Sequence, residues 1–333
     1  MNNLDFVNMS SQLRVQEKKL ISNATLERAA DVADTQEALR VLSQGSDYDF
    51  GSLARIDDCE LLLKNELRRV YEQAYAITEH ANIVALCACK YDYHNLKAAL
   101  KARFSPQRTP NPYVLITPNK PEDLEALAAG GVEKSELPSH LQEAAQQAIA
   151  AFQKDNNPQM IDIVLDRAMF VHMTALAAAV DAAFITDYVA LAIDFYNIKT
   201  LVRIRDMQKG TAFLSACLVP DGRTECAFFV EHYAKTPSAL VPVFYYRYFG
   251  EAMRLGAESF ERSGNFSQLE RRLDNMLLTH LKKAKYITYG PELLFAYLLN
   301  KENEIRQVRI LVSCKQNGIG PEALKERLRD NYA

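Results

Sequence analysis

The chain has 333 residues, of which 48% are hydrophobic and 24% are charged, and its formal net charge is −3. This charge balance excludes a strongly basic nucleic-acid-binding protein, because phosphate recognition requires concentrated lysine and arginine. The 12 glycines amount to about half of the roughly 7% that ordinary proteins use, so few turns are expected and a helical fold is favoured.

The N-terminal part of the chain carries helix signals and one irregular stretch. Its first residues include Asp5 and lack the apolar core of a secretory signal, so none is expected. Asp34 and Glu37 have the spacing of a capping box at a helix start. Five prolines between Phe104 and Pro121 exclude a continuous helix there. Within that stretch, Tyr113 to Ile116 is predicted to form either a short strand or an anchored loop, and no other strand of consequence is expected.

The middle of the chain predicts a long amphipathic helix, followed by an apolar stretch. Apolar or aromatic side chains recur at helical spacing on one face, namely Ile161, Leu165, Met169, His172, Met173 and Leu176. The most apolar stretch, residues 174–193, is interrupted by Asp181 and Asp187. It is therefore not expected to span a membrane.

Helix start signals continue toward the C-terminus. Ser267 and Glu270 resemble a second capping box, while Pro237, Pro291 and Pro321 stand where a first helical residue is expected. Helix thus follows helix along the chain, and an all-α fold is predicted.

Three segments of the sequence align without gaps, and we call them the first, second and third copies. They are residues 91–97 (YDYHNLK), 193–199 (IDFYNIK) and 300–306 (NKENEIR), offset by 102 and then by 107 residues. The signature positions are Asp92, Asn95 and Lys97, then Asp194, Asn197 and Lys199, then Glu302, Glu304 and Arg306. Because repeated segments solve the same packing problem, we predict three helical domains, residues 1–145, 146–245 and 246–333.

Two further patterns accompany the copies. Upstream blocks match at an offset of 108, with Leu165, Asp166, Met169 and His172 in one and Leu273, Asp274, Leu277 and His280 in the other. A glycine turn follows each copy and leads to an apolar residue six positions on. These pairs are Gly131 and Leu137, Gly222 and Phe228, and Gly318 and Leu324.

The polar signature residues are best interpreted as structural. Asp92, Asn95, Asp194 and Asn197 are predicted to be polar groups on helix surfaces that hydrogen-bond a neighbouring helix. The aliphatic residues Leu96, Ile198 and Ile305 are predicted to lie in the core. Glu302 and Arg306, four residues apart, would form an ion pair within one helix.

Motifs of enzyme and metal chemistry are missing from the sequence. There is no glycine-rich phosphate loop, H-E-x-x-H or G-x-S-x-G motif, and no histidines pair at a spacing of four. Six scattered cysteines without C-x-x-C spacing are interpreted as reduced thiols of a cytosolic protein. No catalytic, cofactor-binding or metal site is predicted. An enzyme would instead need a cluster of perturbed acids or histidines in one pocket.

The sequence resembles the C subunits of bacterial and archaeal V/A-type rotary ATPases, the counterparts of the eukaryotic d subunit. The resemblance rests on the D-x-x-N-[LI]-K signature of the first two copies, the run from Tyr289 to Arg306, and the R-V-x-E-x-K-L opening of residues 14–20. The third copy departs from it, with Lys301 and Glu304 in place of Asp and Asn. Identical roles for the three copies are therefore not expected.

The resemblance implies a funnel of three pseudo-threefold related helical domains around a central cavity. In that family the protein is a non-catalytic socket between the central shaft, made of D-type and F-type subunits, and the membrane proteolipid ring. It would serve ATP-driven proton or sodium transport, or ATP synthesis, as a cytoplasmic protein peripheral to the membrane, with no cofactor and no nucleic acid. The alternative is a helical-repeat scaffold protein of another multisubunit assembly.

Overall fold

The computed structural model describes residues 3–53, 55–104, 112–131, 137–245 and 247–332. Every regular element in these ranges is helical, and they contain no strand. The α-helices are α1 (Val7–Glu17), α2 (Asn23–Asp31), α3 (Thr35–Ser43), α4 (Cys59–Ile77), α5 (Ala81–Phe104), α6 (Pro121–Ala128), α7 (Ser139–Asp155), α8 (Gln159–Val180), α9 (Ala183–Asp206), α10 (Thr211–Cys217), α11 (Cys226–Glu231), α12 (Pro237–Phe244), α13 (Gly250–Ser263), α14 (Ser267–Lys282), α15 (Pro291–Gln316) and α16 (Pro321–Arg327). The all-α prediction is confirmed for this part of the chain.

Several helix starts follow the local chemistry that the sequence indicated. Asp34 accepts a hydrogen bond from the Glu37 amide and caps α3, which satisfies one of the first-turn amides. Pro237, Pro291 and Pro321 are the first residues of α12, α15 and α16, where the missing amide costs nothing. The capping prediction for Ser267 is wrong, because this residue is already the first of α14 and its backbone amide donates to the side chain of Asn265.

Contacts between helices divide the chain into two compact units. Unit 2, residues 80–233, contains α5 to α11. Its main core joins α5, α6, α7 and α8 through residues such as Leu96, Leu124, Leu141 and Leu165, all fully buried. Helix α9 packs against α8, α10 and α11. Unit 2 therefore carries both the first and the second copies.

Unit 1 consists of residues 1–79 and 234–333, so both ends of the chain belong to it. Its longest helix, α15, packs against α1, α4, α14 and α16, and is buried along most of its length. The short helices α2 and α3 pack on each other, as do α12, α13 and α14 in succession. The third copy lies within α15.

In the part of the chain that the structure describes, α8 is long and apolar enough to span a membrane, judged by length and composition alone. It nevertheless packs against α5, α7, α9 and α10. The apolar stretch of residues 174–193 is divided at Asp181, a left-handed residue that ends α8. Such a helix is weak support for a span, because core helices have the same composition.

Candidate functional site

The first copy anchors the loop that follows α5. Asn95 is fully buried, and its side-chain amide makes two hydrogen bonds to the backbone of Val114. Nδ2 donates to the Val114 carbonyl at 2.9 Å and Oδ1 accepts from the Val114 amide at 2.8 Å. We call this two-way contact a polar clamp. Among the two alternatives for residues 113–116, the structure therefore shows an anchored loop.

The second copy forms the same clamp on a different loop. Asn197, also fully buried, donates to the Val219 carbonyl at 2.8 Å and accepts from the Val219 amide at 2.9 Å. A carboxamide can do both because it carries a donor and an acceptor side by side. Leucine in its place would leave the Val219 amide unpaired, and aspartate would leave the Val219 carbonyl with only the weak thiol donor of Cys226.

The aspartate of each of these copies fixes a second point of the same loop. Asp92 accepts from the Asn119 side chain at 2.8 Å. Asp194 accepts from the Thr224 amide at 3.0 Å and from its hydroxyl at 3.2 Å. Asn119 is the fifth residue after Val114, as Thr224 is after Val219, and the next helix begins two residues later in both cases. Two unrelated loop sequences are thus held in the same way.

Gly222 stands directly against the second clamp. A Cβ atom built at this position would overlap Oδ1 of Asp194, so the loop can approach the carboxylate only with glycine here. The three glycines that follow the copies all lie in connections between helices, but not at equivalent places. Gly222 lies inside the clamped loop, whereas Gly131 follows α6 and Gly318 follows α15.

These contacts correct the sequence interpretation of the polar residues. Asp92 is 8% exposed, while Asp194 and both asparagines are fully buried, so they are not surface groups. The clamp partners of the asparagines are loop residues and not a neighbouring helix. Burial raises the pKa of Asp92, and the hydrogen bond from Asn119 opposes this. The core prediction for Leu96, Ile198 and Ile305 is confirmed.

The basic signature residues meet acids of the upstream blocks. Lys97 pairs with Asp166, and Arg306 lies 3.7 Å from Asp274; these two aspartates are the ones matched at the offset of 108. Lys199 is partly buried at the corresponding place on α9. For the pair predicted between Glu302 and Arg306, the structure gives each residue another partner: the Glu302 carboxylate accepts from the Tyr71 hydroxyl at 2.6 Å, and Arg306 lies near Asp274.

The third copy replaces the clamp with buried charges. Lys301 and Glu304 are each 2% exposed. The Lys301 ammonium lies 2.8 Å from Glu304 and 3.1 Å from Glu66 of α4, and 4.3 Å from the centre of the Tyr48 ring. Glu304 also accepts from the backbone amide of Ile21. The copy thus ties α15 to α4 and to the segment between α1 and α2.

Electrostatics within this cluster keep the lysine charged. Burial by itself lowers the pKa of Lys301, but the carboxylates of Glu304 and Glu66 outweigh that effect and the pKa is raised. The same surroundings keep Tyr48 neutral, because burial and the neighbouring Glu304 raise the pKa of its phenol well above the ordinary value. A buried lysine between two carboxylates stabilises the fold only while all partners are present.

A pair of histidines in unit 2 was not predicted from the sequence. The rings of His140 and His172 are centred 3.9 Å apart, beside the ring of Tyr93. Burial, together with the neighbouring His140, lowers the pKa of His172 to about 4. Burial also lowers the pKa of His140, although Asp92 opposes this. Both imidazoles are therefore neutral packing groups near pH 7. Among the described residues, no group of three or more potential metal ligands converges.

The clamps and the charged cluster define a helical protein with an internally repeated packing motif. The chain belongs to the ATP synthase (C/AC39) subunit family, whose model matches residues 9–327. It is similar to the C subunit of the V-type sodium ATPase of Enterococcus hirae, with 23% identity over 99% of each chain. It is also similar to the C subunit of the V-type ATP synthase of Thermus thermophilus, with 23% identity over 97% of this chain and 98% of the relative. The C subunit of the A-type ATP synthase of Methanocaldococcus jannaschii is 21% identical over 96% of this chain and 85% of its own length.

Proposed function

We propose that this chain is a non-catalytic rotor subunit of a V/A-type rotary ATPase, a socket that couples the central shaft to the membrane proteolipid ring. The observation that carries the proposal is the family match across residues 9–327, together with full-length similarity to relatives named as C subunits. The protein would act during ATP-driven ion transport or ATP synthesis. It would be cytoplasmic and peripheral to the membrane.

The repeated clamps support a fold built from three alike modules. The first two copies hold their loops with the same atoms, and the third occupies the corresponding place on α15. We therefore propose three domains, residues 1–145, 146–245 and 246–333, forming a funnel with a central cavity around a pseudo-threefold axis. In this arrangement the first domain would carry its repeat in residues 80–145, and its helices up to Glu79 would pack with the third domain, because they form one unit with the C-terminal part.

A socket that transmits torque has to resist deformation. Close-packed helices do so because protein interiors have the density of organic crystals. Loops are ordinarily the deformable parts of a fold, and here buried asparagines and aspartates fix two of them at two points each. We infer that the clamps stiffen the connections between helices against the load of rotation.

Exposed apolar surface also supports a role within an assembly. Val171 on α8 is 48% exposed, and many other residues of this helix are only partly buried. Surface of this kind is usual where a partner covers it. The proposed partners are shaft subunits of the D and F types and the proteolipid ring.

Reconstitution from purified parts tests the proposal. The full chain would be mixed with D-type and F-type shaft subunits and, separately, with a detergent-solubilised proteolipid ring, and analysed by size-exclusion chromatography and native mass spectrometry. We expect one copy of the chain in each complex and a joint complex when all parts are mixed. A helical protein of similar size and charge serves as the control. Failure to bind either partner contradicts the proposal.

A further inference from the structure

The third copy has a chemical deficit that the first two do not have. The carboxylate of Glu304 offers only acceptor atoms, whereas the carboxamides of Asn95 and Asn197 offer a donor as well. Glu304 accepts from the Ile21 amide, which is half of a polar clamp. It has no donor for the Ile21 carbonyl, and Ile21 is only 3% exposed. A donor from elsewhere is needed, because an unpaired buried carbonyl is costly.

The C-terminal tail supplies that donor. Asn331, which is 2% exposed, donates from Nδ2 to the Ile21 carbonyl at 2.9 Å. Its backbone amide donates to the side chain of Asn23 at 2.6 Å. Glu304 and Asn331 therefore do together what Asn95 or Asn197 does alone, although Asn331 and Ile21 lie at opposite ends of the chain.

The helix that follows each clamped residue supports this equivalence. The residue before the first turn is Ser22 for α2, Lys120 for α6 and Glu225 for α11. The fourth residue after each of them is apolar and at most 2% exposed; these residues are Leu26, Leu124 and Phe229. Helix α2 therefore follows Ile21 in the same way as α6 follows Val114 and α11 follows Val219, but the connection before α2 is shorter.

The rest of the tail is fixed along its whole length. The Arg329 amide donates to Gln307 at 2.9 Å, and the Asp330 carbonyl accepts from Asn303 at 3.0 Å, both on α15. Tyr332, which is 3% exposed, donates from its hydroxyl to Glu17 at 3.0 Å. These contacts on both α15 and α1 indicate that residues 329–332 have a structural task.

We propose that the C-terminal tail, residues 328–332, is a strap that completes the third clamp, with Asn331 as the positioning residue that replaces the donor missing from Glu304. The strap holds the segment between α1 and α2 on α15. Its release frees this segment. The inference goes beyond the proposed function and does not depend on it.

Hydrogen exchange on the full chain tests the strap. Replacing Asn331 with leucine keeps the side-chain shape and removes the donor. We expect about tenfold faster exchange of the Ile21 amide, as for the loss of one buried hydrogen bond, and faster tryptic cleavage at the exposed Lys18 and Lys19. The control is Asn317→Leu, the same substitution at an exposed position on the end of α15, which should leave both rates unchanged.

A double-mutant cycle separates the strap from a merely structural role for Asn331. Glu304→Gln keeps the length of the side chain and gives the third copy a carboxamide, so Asn331 should become dispensable, while Lys301 keeps Glu66 as its carboxylate partner. We expect Asn331→Leu to change Ile21 exchange by less than about threefold in the Glu304→Gln background, against about tenfold in the unmodified chain. Equal effects in both backgrounds would overturn the proposal.

The unmodified chain provides a test that does not depend on the variants folding. If the strap and the N-terminal segment open together, the amides of Ile21 and Asn331 exchange with the same protection and the same dependence on urea. Residue-resolved exchange in low urea measures both. Independent opening of the two amides would refute the strap.

Discussion

The second clamp can be tested by replacing Asn197 with leucine, which has a similar shape. The substitution removes two buried hydrogen bonds at Val219, which is only 1% exposed. It leaves the Val219 amide unpaired, and the Val219 carbonyl keeps only the weak thiol donor of Cys226 at 3.3 Å. Each unpaired buried group costs about 1–3 kcal/mol, and the added apolar side chain recovers part of this. A net loss of about 2–4 kcal/mol in the free energy of unfolding is expected.

Urea denaturation followed by circular dichroism measures this loss. A cost of this size would lower the melting temperature by roughly 5–15 °C for a unit of about 150 residues. Asn8→Leu, at an exposed position of α1, is the control and should stay within about 0.5 kcal/mol of the unmodified chain. If Asn197→Leu is as stable as this control, the clamp is not an important source of stability and the reasoning fails.

Three further predictions concern the clamp glycine, the buried lysine and the histidine pair. Gly222→Ala should lower the free energy of unfolding by about 1–3 kcal/mol because its Cβ overlaps Asp194. Gly210→Ala has open space and should lose only the smaller preference of a helix N-cap for glycine in the same denaturation assay. Lys301→Met leaves Glu304 buried without its cation, while Glu66 keeps Arg69, and the free energy of unfolding should fall by about 3 kcal/mol. Lys325→Met, at the surface, should have a much smaller effect. Unfolding experiments should show that the free energy of unfolding falls between pH 7 and pH 4. His172→Phe should make this fall smaller.

The sign of the pH effect follows from the two states of His172. The pKa is about 4 in the folded chain and near 6.5 when unfolded, so the unfolded state binds the proton first as the pH falls. The stability that depends on neutral His172 is fully present above pH 6.5 and is lost progressively toward pH 4. Because the ring is only half-buried, roughly 1–2 kcal/mol is expected. An identical pH dependence in His172→Phe would contradict this reasoning.

For the two other variants, the controls decide the outcome. If Gly222→Ala were no less stable than Gly210→Ala, the loop could move away from Asp194 at little cost. If Lys301→Met were as stable as Lys325→Met, the Glu304 carboxylate would have to be accommodated by protonation or by water. Either result would show that the buried polar contacts are more adaptable than their geometry indicates.

Helix positions and the core were predictable because they depend on local spacing. The periodic apolar residues placed α8, the prolines marked the first residues of α12, α15 and α16, and Leu96, Ile198 and Ile305 were identified as core. These features require only that neighbouring residues share a helix face.

Partners of the signature residues could not be predicted in the same way. Asn95 and Asn197 reach loops 19 and 22 residues away, and nothing in local spacing tells a loop partner from a helix partner. The sequence signal that could have indicated the clamps was the position of Val114 and Val219, each seven residues before the start of a helix. Burial of an asparagine within a helix also requires a partner with both a donor and an acceptor, which a backbone peptide group supplies.

The third copy shows the limit of sequence reasoning most clearly. The change to Lys301 and Glu304 was visible, but its compensation was not. Asn331 meets a residue 310 positions away in the chain, and Glu66 is brought to Lys301 from another helix. Contacts of this kind depend on the packing of whole helices, which no short motif specifies.

Coupling in a reconstituted membrane tests the central claim most directly. ATP hydrolysis and ion transport would be measured together in vesicles that contain the V/A-type complex assembled with and without this chain. If the chain connects shaft and ring without doing chemistry, its omission should leave hydrolysis by the catalytic head active and abolish ion transport, and adding it back should restore transport. Ion transport that continues in its absence would contradict the account.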